Sequence, residues 1–248
     1  MNYLTNIIGK QTTMNNKKHS VILIVYLGDY PNAAKNRKHK YKRAVQSFID
    51  NTYSNKELII VSDGCEDSYK IYKDNFKQHR DIKFIMAPKQ PSGYPGFLRQ
   101  IGIYFATGDV ISYLDSDDYI APSHIKYIMD SFKTEAFKFV YFNSLTVDTL
   151  HEYKNLEEIV NEEIIKELCP YRWTILPREL KYRSIGTGNI SHVKDTSKVW
   201  KNWDGKSGES EDWLFIKQWL NEPGKRIDSK TYYMCHFYVG DEKRNVDV

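Results

Sequence analysis

Three carboxylates fall within four positions at the end of an apolar run. Val110 to Tyr119 reads V-I-S-Y-L-D-S-D-D-Y and contains Asp115, Asp117 and Asp118. Side chains two apart on an extended segment face the same way, so Asp115 and Asp117 can converge on one cation or one hydroxyl-rich ligand. Such a cluster suits a hard divalent ion. Three uncompensated carboxylates repel one another, a cost that metal binding or contact with water must offset. A solvated acidic turn is the competing reading, but the residues in front of the cluster argue for a site. A strand carrying Val110, Ile111, Tyr113 and Leu114 delivers the acids to its carboxyl end, where open α/β sheets place their ligands.

The chain that must hold this cluster has 248 residues, 41% hydrophobic and 27% charged, the composition of a globular protein with a substantial core. The net charge of +4 is modest, and its basic residues gather in Lys35 to Lys42 and around Lys17 and Lys18. That distribution favours a phosphate-bearing ligand or a peripheral anionic surface over stable nucleic acid binding. Cys65, Cys169 and Cys235 are odd in number and far apart, so neither a disulfide framework nor a zinc motif is indicated. A cytoplasmic protein is expected, with at most peripheral contact at the inner face of a membrane, since no run approaches bilayer-spanning length. Residues 1–19 are polar and include Met14, and read as a flexible tail or an upstream start.

Strand and helix patterns alternate through the first half. Ser20 to Leu27, Leu58 to Val61, Ile82 to Met86 and the run into Asp115 are short apolar strands. Between them Tyr41, Val45, Phe48 and Thr52, then Tyr69, Tyr72 and Phe76, then Leu98, Ile101 and Phe105 recur at helical spacing, the last closed by Gly108. This β-α-β-α-β-α-β order predicts a mostly parallel, Rossmann-like sheet with helices on both faces. The second half is less regular. Helices are expected at Ile125 to Phe132, Leu156 to Leu168 and Ser210 to Leu220, and strands at Phe137 to Val147, after the Gly186 loop to Val193, and at Tyr232 to Val239. No linker separates the halves, so residues 20–120 and 121–248 are expected to form one compact body. Four of the five tryptophans lie between Trp200 and Trp219. Trp213 and Trp219 sit at core positions of a helix, whereas Trp200 and Trp203, with polar neighbours, are candidates for stacking on a sugar face.

Four motifs in order now carry a resemblance, over roughly residues 20–238, to the glycosyltransferase family 2 enzymes with the GT-A fold. Ile24-Val25-Tyr26-Leu27 resembles the P-x-Y-N end of the family's first strand, keeping only the Tyr. Ser62-Asp63-Gly64-Cys65-Glu66-Asp67 resembles D-D-G-S-x-D, Leu98-Arg99-Gln100-Ile101-Gly102-Ile103 resembles A-R-N-x-G-I, and the D-x-D-D match is complete. The segment from Gly28 to Tyr41 is longer and more basic than the family's usual turn.

The resemblance implies a metal-dependent, inverting transfer of a hexose or N-acetylhexosamine from a nucleoside diphosphate sugar, expected to be UDP-linked, to a hydroxyl of a glycan or other acceptor, as in polysaccharide synthesis. It assigns Asp63 to the uracil imide, or alternatively to a helix N-cap, and Tyr26 to the base, or to ordinary packing. Arg99 would grip the diphosphate, or form a salt bridge. Asp115 would meet the ribose or hydrated ion, and Asp117 would ligate Mn²⁺ or Mg²⁺, joined by His236 unless that histidine is an ordinary strand residue. Gly208-Glu209-Ser210-Glu211-Asp212-Trp213 resembles the family's E-D element, making Asp212 the general base and Glu211 the reserve; acids in a first helical turn also complement the helix dipole without any catalysis. Asn189 and Trp203 would touch the acceptor. The alternatives are a non-catalytic nucleotide- or glycan-binding module and a glycosyltransferase acting on modified nucleic acid bases. A sugar-1-phosphate nucleotidyltransferase would need a Gly- and Arg-rich loop after the first strand, which L-G-D-Y-P-N does not supply.

Overall fold

The computed structural model describes residues 17–28, 36–90, 95–147, 173–176, 179–182, 184–201, 208–229, 231–234, 236–239 and 242–245. The expected tail up to residue 16, the helix expected at Leu156 to Leu168, and Trp203 lie outside them. The first half follows the alternation: β1 (His19–Val25), α1 (Arg37–Ile49), β2 (Lys56–Asp63), α2 (Glu66–Asn75), β3 (Ile82–Ala87), α3 (Gly96–Phe105) and β4 (Val110–Asp115). Then come β5 (Tyr119–Ile120), α4 (His124–Ser131), β6 (Phe139–Phe142), β7 (Ser144–Val147), β8 (Trp173–Leu176), β9 (Ile190–Val193), α5 (Glu211–Ile216), β10 (Gly224–Ile227), β11 (Tyr232–Met234), β12 (His236–Val239) and β13 (Glu242–Asn245).

Seven strands form the main sheet in the order β10-β6-β9-β4-β1-β2-β3, in which β9 alone runs antiparallel to its neighbours. Side chains alternate across it, as strand geometry requires. Val21, Leu23 and Val25 pack with Tyr41, Val45 and Phe48 of α1 and with Ile125 and Ile128 of α4. Ile22 faces the other way, into a core shared with Leu98 and Ile103 of α3 and Phe215 and Ile216 of α5. Helices therefore cover both faces. Gly102 lets α3 settle on the sheet, because a Cβ there would run into the Ile22 side chain.

The register sets up the site. Ile24 of β1 pairs with both Val61 of β2 and Asp115 of β4, so the carboxyl ends of three neighbouring strands are level. Tyr26, Asp63 and Asp115 thus stand at one edge of the sheet. Gly64 follows β2 with φ +60°, a left-handed turn that suits glycine, and a Cβ there would lie 2.9 Å from the Lys89 backbone nitrogen.

Two expected strands are divided. Phe137 to Val147 breaks at Asn143: β6 stays in the main sheet, and β7 enters a second sheet of order β5-β11-β7-β8. At the break Asn143 is buried, donates to Asp228 Oδ1 at 3.0 Å and accepts from Arg226 Nη2 at 3.2 Å. The terminal run also divides, β11 joining the second sheet and β12 pairing with β13. Among the described residues no helix is long and apolar enough to cross a membrane.

Candidate active site

Beyond Asp115 the chain turns at once, Asp118 N–H donating to Asp115 O at 3.1 Å. Arg43 of α1 holds this turn from outside, donating to Asp117 O at 2.8 Å with its guanidinium 4.6 Å above the Tyr119 ring. Short β5 pairs with β11, which brings Tyr232 beneath the acids. Its hydroxyl donates to Asp118 Oδ2 at 2.9 Å, and Asp115 N–H reaches the same hydroxyl at 3.4 Å. Asp118 is buried, 3% exposed, where this contact holds it. Tyr232 was not singled out from sequence, where it reads as one aromatic in a strand.

On the other wall, Arg99 of α3 is 5% exposed and faces three carboxylates. Nη1 lies 2.8 Å from Glu211 Oε1 and 3.4 Å from Asp212 Oδ1, and Nη2 lies 3.3 Å from Asp115 Oδ1. The fork expected to grip a diphosphate is thus engaged within the protein. Burial opposes the charge, but Asp212, Asp115 and Glu211 outweigh it and hold the guanidinium above its ordinary pKa. The Asp115 carboxyl is pushed up by burial, pulled down by Arg99, and pushed up again by Asp117 and Asp212.

The phase of α5, which sequence leaves open, is now visible. Ser210 caps the helix by accepting from Trp213 N–H, and Glu211 and Asp212 occupy its first turn. Glu211 turns inward: besides Arg99 it accepts from Gly96 N–H, at the start of α3, at 3.1 Å. Burial raises its pKa to about 7, against the pull of Arg99. Asp212 instead lines a pocket of about 240 Å³ together with Asp115, Gly186, Thr187, Asn189 and Tyr232. Thr187 donates its hydroxyl to Asp212 Oδ1. Asn189, in the 3-10 turn Thr187–Asn189, is 2% exposed, and its Nδ2 has no partner among the described residues. Thr187 is not legible in the sequence, because a hydroxyl one residue into a Gly-x-Gly turn carries no signal of its own.

Tyr26 and Asp63 lie further along the sheet edge. Asp63 accepts from Gln90 N–H at 2.6 Å and does not cap α2, whose N-cap is Cys65. Lys89 donates to Tyr26 OH at 2.6 Å. Trp200 is not a sugar subsite. It is 5% exposed, stacks on Phe215 at 4.2 Å, donates to Tyr113 OH at 3.0 Å and carries Arg99 at 4.9 Å from its ring. No three His, Cys, Asp or Glu residues among those described are grouped to hold a metal ion. The backbone of His236 opens β12.

Comparisons with known proteins place the chain in a family. The model of a family described as "Glycosyl transferase family 2" matches residues 33–189. The chain belongs to that family. An uncharacterized glycosyltransferase of Haemophilus influenzae is 32% identical over 109 residues, 44% of this chain and 39% of that protein. Chondroitin synthase of Escherichia coli is 27% identical over 94 residues, 38% of this chain and 13% of that protein. Among solved structures, S. aureus TarS 1–349 in complex with UDP superposes with a TM-score of 0.61 at 20% identity, over 88% of this chain and 60% of that one. The same TarS fragment with UDP-GlcNAc gives 0.60. The family 2 chain therefore has the GT-A fold, and it spans less than two thirds of each of these relatives.

Proposed function

We propose that this family 2 domain transfers a sugar from a nucleoside diphosphate sugar, UDP-linked, to a hydroxyl acceptor with inversion at the anomeric carbon. The observation that carries the reading is the convergence of Asp115 and Asp212, from opposite walls, on one pocket at the carboxyl ends of the strands. In the reaction the acceptor oxygen attacks the anomeric carbon while the bond from that carbon to the diphosphate oxygen breaks. The bonding electrons leave with the diphosphate, and Asp212 takes the acceptor's proton. Glu211, bonded to Arg99 and Gly96, is a tie between α3 and α5 and not the base.

Asp63 and Tyr26 would take the nucleoside, Asp63 through its carboxylate to the uracil imide N–H. Crystals of a distant structural relative contain UDP and UDP-GlcNAc, which supports a uridine donor. The oxygen donors of Asp115 and Asp117 fit Mn²⁺ or Mg²⁺ in the manner of ions held by one or two carboxylates plus substrate phosphates. Such an ion, when bound, neutralises charge on the departing diphosphate. Asn189 would bond an acceptor hydroxyl.

Calorimetric titration of UDP, GDP and CDP, with and without Mn²⁺, tests the donor site. UDP is expected to bind in preference to the others, with Mn²⁺ dependence that Asp117→Ala abolishes. Absence of binding by every nucleotide overturns the assignment.

A further inference from the structure

We propose that Thr187 is a positioning residue for Asp212: its hydroxyl bond to Oδ1 fixes the carboxylate's rotation, so that Oδ2 is the oxygen presented to the acceptor. The inference rests on reading Asp212 as the base. Two donors meet at Oδ1, Thr187 Oγ1 and, at 3.4 Å, Arg99 Nη1. Oδ2 looks the other way. A Cβ added to Gly186 would lie 3.8 Å from Asp212 Oδ2 and 4.0 Å from Asn189 Oδ1, and, its chain neighbours Ile185 and Thr187 aside, within 4 Å of no other heavy atom among the described residues. Gly186 has φ −114° and ψ 176°, extended backbone open to any residue. Its missing side chain therefore meets no backbone demand; it keeps the floor clear between Oδ2 and Asn189.

Thr187 is itself held firmly. It is 3% exposed, and the turn it begins is closed by Asn189 N–H donating to Gly186 O at 3.1 Å. The turn runs straight into β9, which is paired on both sides by β4 and β6. A hydroxyl on such a rigid support fixes a partner within the narrow angular range that proton transfer needs. Arg99 alone, at 3.4 Å, is a loose constraint, and Asp212 is otherwise free to turn Oδ2 toward it.

The test compares Thr187→Val, which keeps the shape and removes the donor, with Thr187→Ser, which keeps the donor and removes a methyl. Release of UDP is followed from UDP-glucose, UDP-galactose, UDP-N-acetylglucosamine and UDP-N-acetylgalactosamine with water as acceptor. Loss of one hydrogen bond to a charged group corresponds to a ~10–100-fold fall. That fall is expected in kcat for Thr187→Val, with the donor KM within about twofold, and Thr187→Ser is expected to stay within about threefold of the parent in both. In crystals, Asp212 should keep one carboxylate orientation in the serine variant and lose it in the valine variant. Equal impairment of both variants would assign Thr187 to packing, and an unimpaired valine variant would also refute its role. Asp212→Asn separates the two levels. If it retains turnover, or if the parent releases UDP from none of the four donors, the reading of Asp212 as base has failed and the inference falls with it. An inactive Asp212→Asn beside a fully active Thr187→Val refutes the positioning role alone.

Discussion

Replacing Arg99 by methionine distinguishes an internal tie from a substrate clamp. A residue kept for an absent ligand costs the free protein little when removed. Arg99 instead faces Glu211 at 2.8 Å, with side-chain exposures of 6% and 11%. Its contacts to Asp212 and Asp115 are longer, and those partners are 30% and 39% exposed, so solvent can compensate them for the loss of Arg99 in a way it cannot compensate Glu211. Methionine preserves most of the volume and leaves Glu211 as a buried acid without its cation, at a cost of ~3–5 kcal/mol while it stays ionised. The acid can escape by taking a proton. Its pKa is already about 7 through burial, with Arg99 opposing the rise, so removal of Arg99 lifts it further. A carboxyl whose folded pKa exceeds its unfolded value gives stability that is complete below the unfolded pKa and is lost as pH rises through the folded one. The variant's deficit should therefore be small near pH 6 and grow to ~2 kcal/mol near about pH 8.5, since above the parent's pKa of about 7 each pH unit adds ~1.4 kcal/mol while the variant's acid stays protonated. Urea unfolding followed by tryptophan emission at the two pH values measures it, with Trp200 reporting from beside the guanidinium. A deficit under about 1 kcal/mol at both, or one equal at both, refutes the argument.

Asp212→Asn should reduce turnover ~10²–10⁴-fold and Glu211→Gln less than about tenfold, measured as UDP release; the reverse order would mean that the wrong acid of the pair faces the acceptor. Glu57 is buried at the opposite end of the sheet and accepts from Lys18, Lys83, Ser20 and Thr107, which overcome the upward push of burial and hold its carboxyl well below the usual range. Glu57→Gln should cost ~3–5 kcal/mol at neutral pH. Because that stability is present above the unfolded pKa and lost as pH falls through the folded one, the gap in urea midpoints should close in strong acid; a constant gap contradicts this. Burial lowers the pKa of His19 and of His124 to about 3 and that of His192 to about 4. The unfolded chain takes protons that the folded one refuses, so stability should fall as pH drops below about 6.5, and unfolding near pH 5 should absorb about two to three protons, Glu211 offsetting part. Uptake of less than one would show that these rings are not buried and neutral.

The parallel half was legible because strands buried on both faces are unbroken apolar runs, and helices between them repeat at 3.6 residues. For the same reason the acids at the end of β4 were found at once. The pairing of β9 between β4 and β6 was not, since it joins residues about eighty positions apart on one side and about fifty on the other and leaves no local signature. Strand β10, reading G-K-R-I, carries the polar face of an edge strand and does not look like one. Trp200 misled for a related reason: its polar neighbours suggested exposure, but a stack on Phe215 was decided by where α5 packs. The choice between Glu211 and Asp212 needed the Gly96 N–H, a donor from more than a hundred residues away.

The place of β9 also bears on synthesis at the ribosome. Among the described residues, strand β6 reaches the central strands through β9, and the Gly186–Asn189 wall of the pocket is the stretch of chain that leads into it. A nascent chain that has emerged only to β6 can form the central β4-β1-β2-β3 layer, but its apolar β6 has no neighbour to pair with and its pocket has one wall. The emergence of about fifty further residues joins β6 to the central strands and brings the Gly186–Asn189 wall with it, and Asp212 follows about twenty residues later, so that, on the reading given above, a partly made chain has no means of consuming donor sugar.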